Sequence, residues 1–387
     1  ARMEERGVLA DQAQLTRLHQ KLGDSLVLLE QAIWREVGYE FNVASPAQLS
    51  EALFTKLALK PTARKNKRGS YPTGAKELAK LRSAHPVIDL IIKYRELAKL
   101  KTGYADTLPK LIALDGRIHT TFSQSITATG RLSSSNPNMQ NIPARTEQGR
   151  EIKRAFIAPA GRVLVNADYA QFELRLAAAL AGDQALIRVF DDPTNDVHTM
   201  TAAEAYGITP AEVTPEQRRH AKVINFGILY GMSPHGLAEA TDMNLSEARE
   251  FIDKYFQARR PIRDYQAKVI EQAKEDGYVQ TLLGRRRSVP GLRSSNTMVR
   301  EATKRAAINL PVQGTEADLM KMAMLKVEEI AGASQIMQVH DSIMVECDEA
   351  EAERIASEMK QIMEQIYPEL GVRLLVETKI GHDWSQL

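Results

Sequence analysis

One cysteine, Cys347, stands alone among 387 residues. An internal disulfide framework and a zinc site built on several thiolates are therefore excluded. The lone thiol fits a reducing compartment. Apolar residues never run on for the ~20 positions that a membrane-spanning helix needs, and no secretory signal opens the chain. An excess of one charge is missing too: 51 Lys and Arg face 49 Asp and Glu, a net +2. Binding to nucleic acid would have to rest on local basic clusters, not on a global field. There is no internal repeat, no low-complexity tract and no Walker-type phosphate loop, which argues against a helicase or an ordinary ATPase. The length is too great for one small core and predicts two or three subdomains.

What is present concentrates in the run 218–231. Arg218, Lys222, Phe226 and Tyr230 stand four residues apart. Each such step on an α-helix advances ~400°, so the four side chains share one slowly drifting stripe. Two cations begin the stripe and two aromatic rings end it. Cations suit a polyphosphate and an aromatic face suits a nucleobase, so one helix face has the makings of a nucleotide site. A solvated basic turn running into a buried aromatic face would give the same pattern.

Two carboxylates have unusual settings. Asp168 follows the apolar strand 163–167 and precedes a helix rich in Ala and Leu that should stop near Gly182. An acid at a strand end is well placed to hold a metal, although a helix N-cap would also explain it. Asp341 lies in the short segment His340-Asp341-Ser342 between two strand-like runs, 335–339 and 343–347, as in a tight hairpin. An ordinary turn Asp is the alternative. The glycine that usually accompanies such a turn is missing, which invites a functional explanation.

The N-terminal third reads as helical. Ser45-Pro46 is a helix start, and 85–104 carries Val87, Ile88, Ile91, Ile92, Leu97 and Leu100 near helical spacing. Between them the basic, turn-rich segment 60–72 has no apolar period and reads as a loop. The middle of the chain is mostly helical. Near the C-terminus, 317–329 carries a Met-rich apolar stripe that reads as core.

Taken together, these segments resemble motifs A, B and C of the family A DNA polymerases, in that order and with the family's separations. Segment 127–143 is similar to the family's primer–template contact segment, and 281–287 and 309–315 are also similar to family segments. The resemblance runs from about Met3 to Trp384. It implies an α+β fold of the polymerase right-hand type, with helical thumb and fingers and an antiparallel β-sheet palm. The thumb would be 1–117, the palm 118–182 with motif A and 306–387 with motif C, and the fingers 183–305 with the motif B helix. Strand 163–167 and the hairpin 335–347 should lie in one sheet. Residues are expected upstream of Ala1, and no exonuclease domain is expected before the thumb. The implied activity is template-directed DNA synthesis by a DNA-directed DNA polymerase, a cytoplasmic monomer (nucleoid-associated if bacterial). Its implied partners are primer–template DNA, deoxynucleoside triphosphates and two Mg²⁺ ions.

The resemblance also implies roles. Asp168 and Asp341 would hold the metals, with the Tyr169 carbonyl adding a ligand. Arg218 and Lys222 would neutralise the triphosphate, and Lys222 would give a proton to pyrophosphate. His198 would touch phosphate, unless it is a surface His in the polar loop 195–199. Gln171 belongs to the same substrate site. Glu173 would floor the sugar pocket, hydrogen-bonded to Tyr230. Phe226 would stack on the ribose and base, and its lack of a hydroxyl predicts poor use of dideoxynucleotides. Arg131, Asn309, Gln313 and His340 would meet the terminal base pair in the minor groove, where every pair displays acceptors. Asn138, Gln140, Asn141 and Arg305 would contact DNA, and Lys65, Lys67 and Arg68 would meet phosphates at the thumb tip.

Three residues depart from the family pattern. Ser342 stands where motif C carries an acid, and Ala170 and Phe172 stand where motif A commonly has Ser and Ile. Phe172, beside Glu173, has the bulk to reshape the nucleotide pocket, in a direction the sequence leaves open. Two other readings remain: a phage-type single-subunit RNA polymerase, against which Glu173 and Phe226 argue, and a non-catalytic duplex-binding module, which Ser342 allows.

Overall fold

The computed structural model describes residues 1–67, 69–143, 146–192 and 194–387. Arg68, one of the cations expected at the thumb tip, lies outside the described residues.

The N-terminal part is helical, as its pattern predicts. Helix α1 spans Gln12–Val37; the Asp11 side chain caps it by accepting from Gln14 N, and Gly38 ends it at φ 89°. Glycine suits that left-handed position because it has no Cβ to clash. Helix α2, Pro46–Glu51, starts as the sequence predicts, with the Ser45 side chain accepting from Gln48 N and Pro46 in the first turn. Helix α3, Val87–Leu100, buries Val87, Ile88, Ile91, Leu97 and Leu100. Ile33, Leu49, Leu53, Leu78, Ile88 and Ile91 belong to a core of their own.

Next come strand β1, Arg162–Tyr169, and helix α4, Phe172–Ala181, which ends at Gly182 with φ 66°. Helix α5, Val197–Tyr206, and helix α6, Pro215–Leu229, follow. Thr214 and Gln217 form a reciprocal capping box at the start of α6, with Pro215 in its first turn. The long helix α7, Thr297–Val327, contains the buried Pro311. Strands β2, Ser334–Val339, and β3, Ser342–Asp348, form the expected hairpin. Helix α8, Ala352–Glu364, leads to strand β4, Val376–Gly381.

The four strands make one antiparallel sheet in the order β4-β1-β3-β2. Side chains alternate across it. Val163, Val165, Ala167 and Tyr169 pack into the main core with Leu174, Leu319, Ile355 and Met359. Leu164 faces the other way, into a second core with Met337, Met344, Phe156 and Trp384. The sheet is thus apolar on both faces at its middle. Strand β1 is longer than the sequence pattern indicates, because Asp168 and Tyr169 keep their ladder partners in β4.

Candidate active site

Asp168 pairs in register with Ser342 of β3 on one side and with Glu377 of β4 on the other. Asp341 occupies the turn between β2 and β3, and its carbonyl accepts from Tyr169 N at 3.0 Å. The two acids therefore meet at one end of the sheet. Capping does not account for Asp168: the N-cap of α4 is Gln171, at φ 56° and with no side-chain cap bond. His340 takes φ 52° in place of the missing glycine, a conformation that costs roughly 1 kcal/mol. Gln338 Nε2 donates to His340 O at 2.6 Å and braces the turn.

Asp168 is open to solvent yet lies deep at the floor of a cleft. Burial among protein atoms raises its acid to about 6, and the Asp341 and Glu377 carboxylates add to the rise against Lys379 and Lys153. Asp341 Oδ1 is buried and has no hydrogen-bond partner among the described residues. A raised acid beside a bare carboxylate oxygen fits a hard divalent cation, which would satisfy both. The Tyr169 ring is buried and its hydroxyl donates to Met363 O at 2.7 Å, so only its backbone is available to such an ion.

A polar network adjoins the pair. Arg131 donates to Glu173 and to Glu316, with Nε 3.2 Å from Glu316 Oε1. Tyr230 donates to Glu173 Oε2 at 2.5 Å, as the sugar-pocket reading expects, and Gln313 Nε2 reaches Glu173 Oε1 at 3.3 Å. Burial pushes the Tyr230 hydroxyl up, and the Glu173 carboxylate pushes it further. Burial, the Asp341 charge and the close approach of the Asp341 carboxyl likewise push Glu316 well up, while Arg131 pulls it down. Phe172 departs from expectation. Its ring is buried and stacks on Tyr169 with centroids 4.0 Å apart, so its bulk goes into the core below the sheet.

Along α6 the stripe forms as predicted. Arg218 and Lys222 are exposed, Phe226 is half-buried and Tyr230 is exposed at the helix end, while Ala221, Ile224 and Ile228 turn into the core. Arg218 is already engaged: Asp196 accepts from its Nε at 2.8 Å and its Nη2 at 3.0 Å. His198 is no loop residue. It sits in the first turn of α5, buried, with its ring centroid 5.7 Å from that of Phe226. Burial lowers its pKa to about 4, so it is neutral at pH 7.

The residues assigned to DNA divide into two groups. Arg305, Asn309 and Gln313 lie at four-residue steps on α7, with Arg305 against Gly231 just beyond α6. Lys65 and Lys67 are exposed, Lys65 lying 5.2 Å from the Tyr71 ring centroid. His340 and the Asn138 and Asn141 side chains are exposed as well. Gln140, in contrast, is used internally: its Nε2 donates to Gln338 O at 3.1 Å and its Oε1 accepts from Ser134 N. Sequence reasoning missed Glu316, Glu377 and Asp196. Glu377 had a legible signal, alternation in a terminal strand; Glu316 and Asp196 had none, since their partners are remote in sequence.

An acidic pair at the end of an antiparallel sheet, linked through Arg131 and Glu173 to Tyr230 at the end of a helix of cations and rings, fits the right-hand polymerase architecture. Within that class the chain belongs to DNA polymerase family A, whose sequence profile matches residues 12–386. It is 48% identical over 389 residues to the thermostable DNA polymerase I of Thermus aquaticus, covering 99% of this chain and 46% of that protein. Against DNA polymerase I of Deinococcus radiodurans it is 44% identical, covering 99% of this chain and 40% of the relative. The chain thus spans about half the length of the curated relatives it matches. A solved structure, the POL domain of Pol1 from M. smegmatis in complex with DNA primer–template and dNTP, superposes with a TM-score of 0.92 at 40% identity, covering 99% of this chain and 68% of that one. No helix among the described residues is long and apolar enough to cross a membrane.

Proposed function

We propose that this chain extends a DNA primer on a DNA template, joining deoxynucleotides to the primer 3′-hydroxyl with release of pyrophosphate. The observation that carries the reading is the meeting of Asp168 and Asp341, one of whose buried oxygens has no hydrogen-bond partner among the described residues. The M. smegmatis domain was solved with primer–template and dNTP, the ligands this reading requires.

Two Mg²⁺ ions, when bound, would lower the hydroxyl pKa and stabilise the leaving oxygen. Asp168, Asp341 and the Tyr169 carbonyl would hold them. Lys222, exposed on α6, meets the triphosphate and is the proton donor to pyrophosphate. Arg218 joins it by exchanging the Asp196 carboxylate for phosphate oxygens, both of which match its planar fork. His198 works without charge: its Nδ1 accepts from Asn225 Nδ2 at 3.1 Å, which leaves Nε2–H as a donor to phosphate. Phe226 stacks on the sugar and base, Glu173 bars a 2′-hydroxyl, and Gln171 lines the same site. Arg131, Asn309, Gln313 and His340 face the terminal pair, while Asn138, Asn141, Arg305, Lys65 and Lys67 contact the duplex. Thumb, palm and fingers divide at 1–117, 118–182, 183–305 and 306–387.

Primer extension tests the reading. Asp168→Ala and Asp341→Ala are expected to abolish Mg²⁺-dependent extension and to leave primer–template binding within a few-fold of wild type. Near-normal extension by either variant rejects the assignment. Wild-type extension with ribonucleotides as efficient as with deoxynucleotides would favour the RNA polymerase reading instead.

A further inference from the structure

Glu316 lies in none of the residue roles set out above, yet it is the most deeply placed acid of the site. It projects from α7 with no exposure. A carboxylate so buried destabilises the fold unless it is paired and hydrogen-bonded. Both its oxygens accept from Arg131, one from Nε at 3.2 Å and the other from Nη2. The same Nη2 donates to Glu173 and stands 3.9 Å from Asp341 Oδ1, the buried oxygen that has no hydrogen-bond partner among the described residues. Arg131 is thus set among three carboxylates and closes on two. Its bonds use Nε and Nη2 and leave Nη1 for another partner. Motif C supplies no acid of its own at the next position: the Ser342 hydroxyl donates to Val339 O at 2.9 Å.

We propose that Glu316 is a positioning residue that holds the Arg131 guanidinium off Asp341, so that Asp341 keeps an oxygen open for a divalent cation and Arg131 keeps Nη1 for the cleft. This rests on the reading of Asp168 and Asp341 as the cation site. The argument is one of competition. A guanidinium already within 4 Å of a bare carboxylate oxygen needs only a small side-chain movement to bond it. Glu316, whose carboxyl lies beside that of Asp341, offers two acceptor oxygens, and a planar fork prefers a two-point partner to a one-point one. Remove those oxygens and Arg131 is left with Glu173 and Asp341, and a cation must then displace it from Asp341.

The test is Mn²⁺ binding to the DNA-free protein, read from the electron paramagnetic resonance of the unbound ion. It compares wild type, Asp341→Ala, Glu316→Ala, Glu316→Gln, Arg131→Ala and the double variant Arg131→Ala/Glu316→Ala. Binding by wild type that Asp341→Ala leaves intact would overturn the cation-site reading, and this proposal with it. If that control behaves, Glu316→Ala is expected to weaken Mn²⁺ about tenfold, the size of effect a neighbouring charge has on a carboxylate. In the Arg131→Ala background the same substitution is expected to change affinity less than about twofold, because its effect runs through the guanidinium. Glu316→Gln keeps the shape and one acceptor oxygen, so it serves where the alanine variant fails to fold; a partial loss is expected, again absent without Arg131. Equal losses in both backgrounds would mean that Glu316 acts by its own charge or as a ligand. Wild-type affinity in both Glu316 variants would show that it does not act on the site. Either result overturns the proposal.

Discussion

Replacing Glu173 by alanine removes the carboxylate on which Arg131, Tyr230 and Gln313 converge. The fold should survive. Three hydrogen bonds to the carboxylate are lost, but Arg131 keeps Glu316, Tyr230 is 41% exposed and can turn to water, and the Gln313 bond is long at 3.3 Å, so the net cost is that of one charged hydrogen bond, about 1.5–3 kcal/mol. Marginal domains tolerate that loss. The sugar pocket is a different matter. The substitution clears the space beneath C2′ and deletes an acceptor that a 2′-hydroxyl would have to take from Tyr230. Discrimination against ribonucleotides should fall at least tenfold, or ~1.4 kcal/mol. The assay is kcat/KM for a ribonucleotide over that for the matching deoxynucleotide, since selection is a difference in transition-state binding. Phe172 is stacked on Tyr169 in the core, so Phe172→Ile added to Glu173→Ala should leave the new ratio unchanged. A ratio near wild type in Glu173→Ala would place the sugar elsewhere and refute the pocket.

Phe226→Tyr should sharply raise dideoxynucleotide incorporation while ordinary extension stays nearly constant; chain-termination ratios measure it, and an unchanged ratio shows that Phe226 does not face the sugar. Asp168→Asn should abolish extension yet stabilise the cation-free protein at pH 7.5. With its acid raised from 3.8 to about 6, Asp168 loses its proton first in the unfolded chain, so stability is present below about pH 4 and declines as pH rises through 6. Solvent screening at the open cleft limits the gain to a degree or so in Tm. A Tm below wild type, or a slope across pH 4–6 that persists, counts against it. Mg²⁺ affinity of the wild-type protein should fall below about pH 6 for the same reason, as titration calorimetry across pH would show.

Local signals were the legible ones. Ser45-Pro46 and Gly182 mark helix ends by side-chain caps and left-handed backbone, which act within a few residues. Spacing alone put Arg218, Lys222, Phe226 and Tyr230 on one face, because helical geometry fixes that. The hairpin at His340-Asp341 was readable from two apolar runs, and the resemblance added that Asp168 belongs beside it. Pairing across long distances was not readable. Nothing in the spacing joins Arg218 to Asp196 or Arg131 to Glu316, which lie 22 and 185 residues apart. A loop setting for His198 stayed open as the alternative because its helix begins at Val197, one residue earlier, under an Asp196 cap that sequence also allows in a loop. Phe172 looked like a pocket residue because its neighbour is one; successive positions on a helix point about 100° apart, and only the packing shows which one faces the core.

Cys347 lies in β3, wholly buried beneath the sheet, and burial raises its thiol pKa. The chain therefore carries a single built-in probe of its own palm. A thiol reagent can reach that sulfur only when the core packed on that face of the sheet opens, so the labelling rate measures how often it does. A cysteine introduced on the thumb or fingers would react far faster than the native one, and fluorophores for watching those parts move could be attached without first removing Cys347.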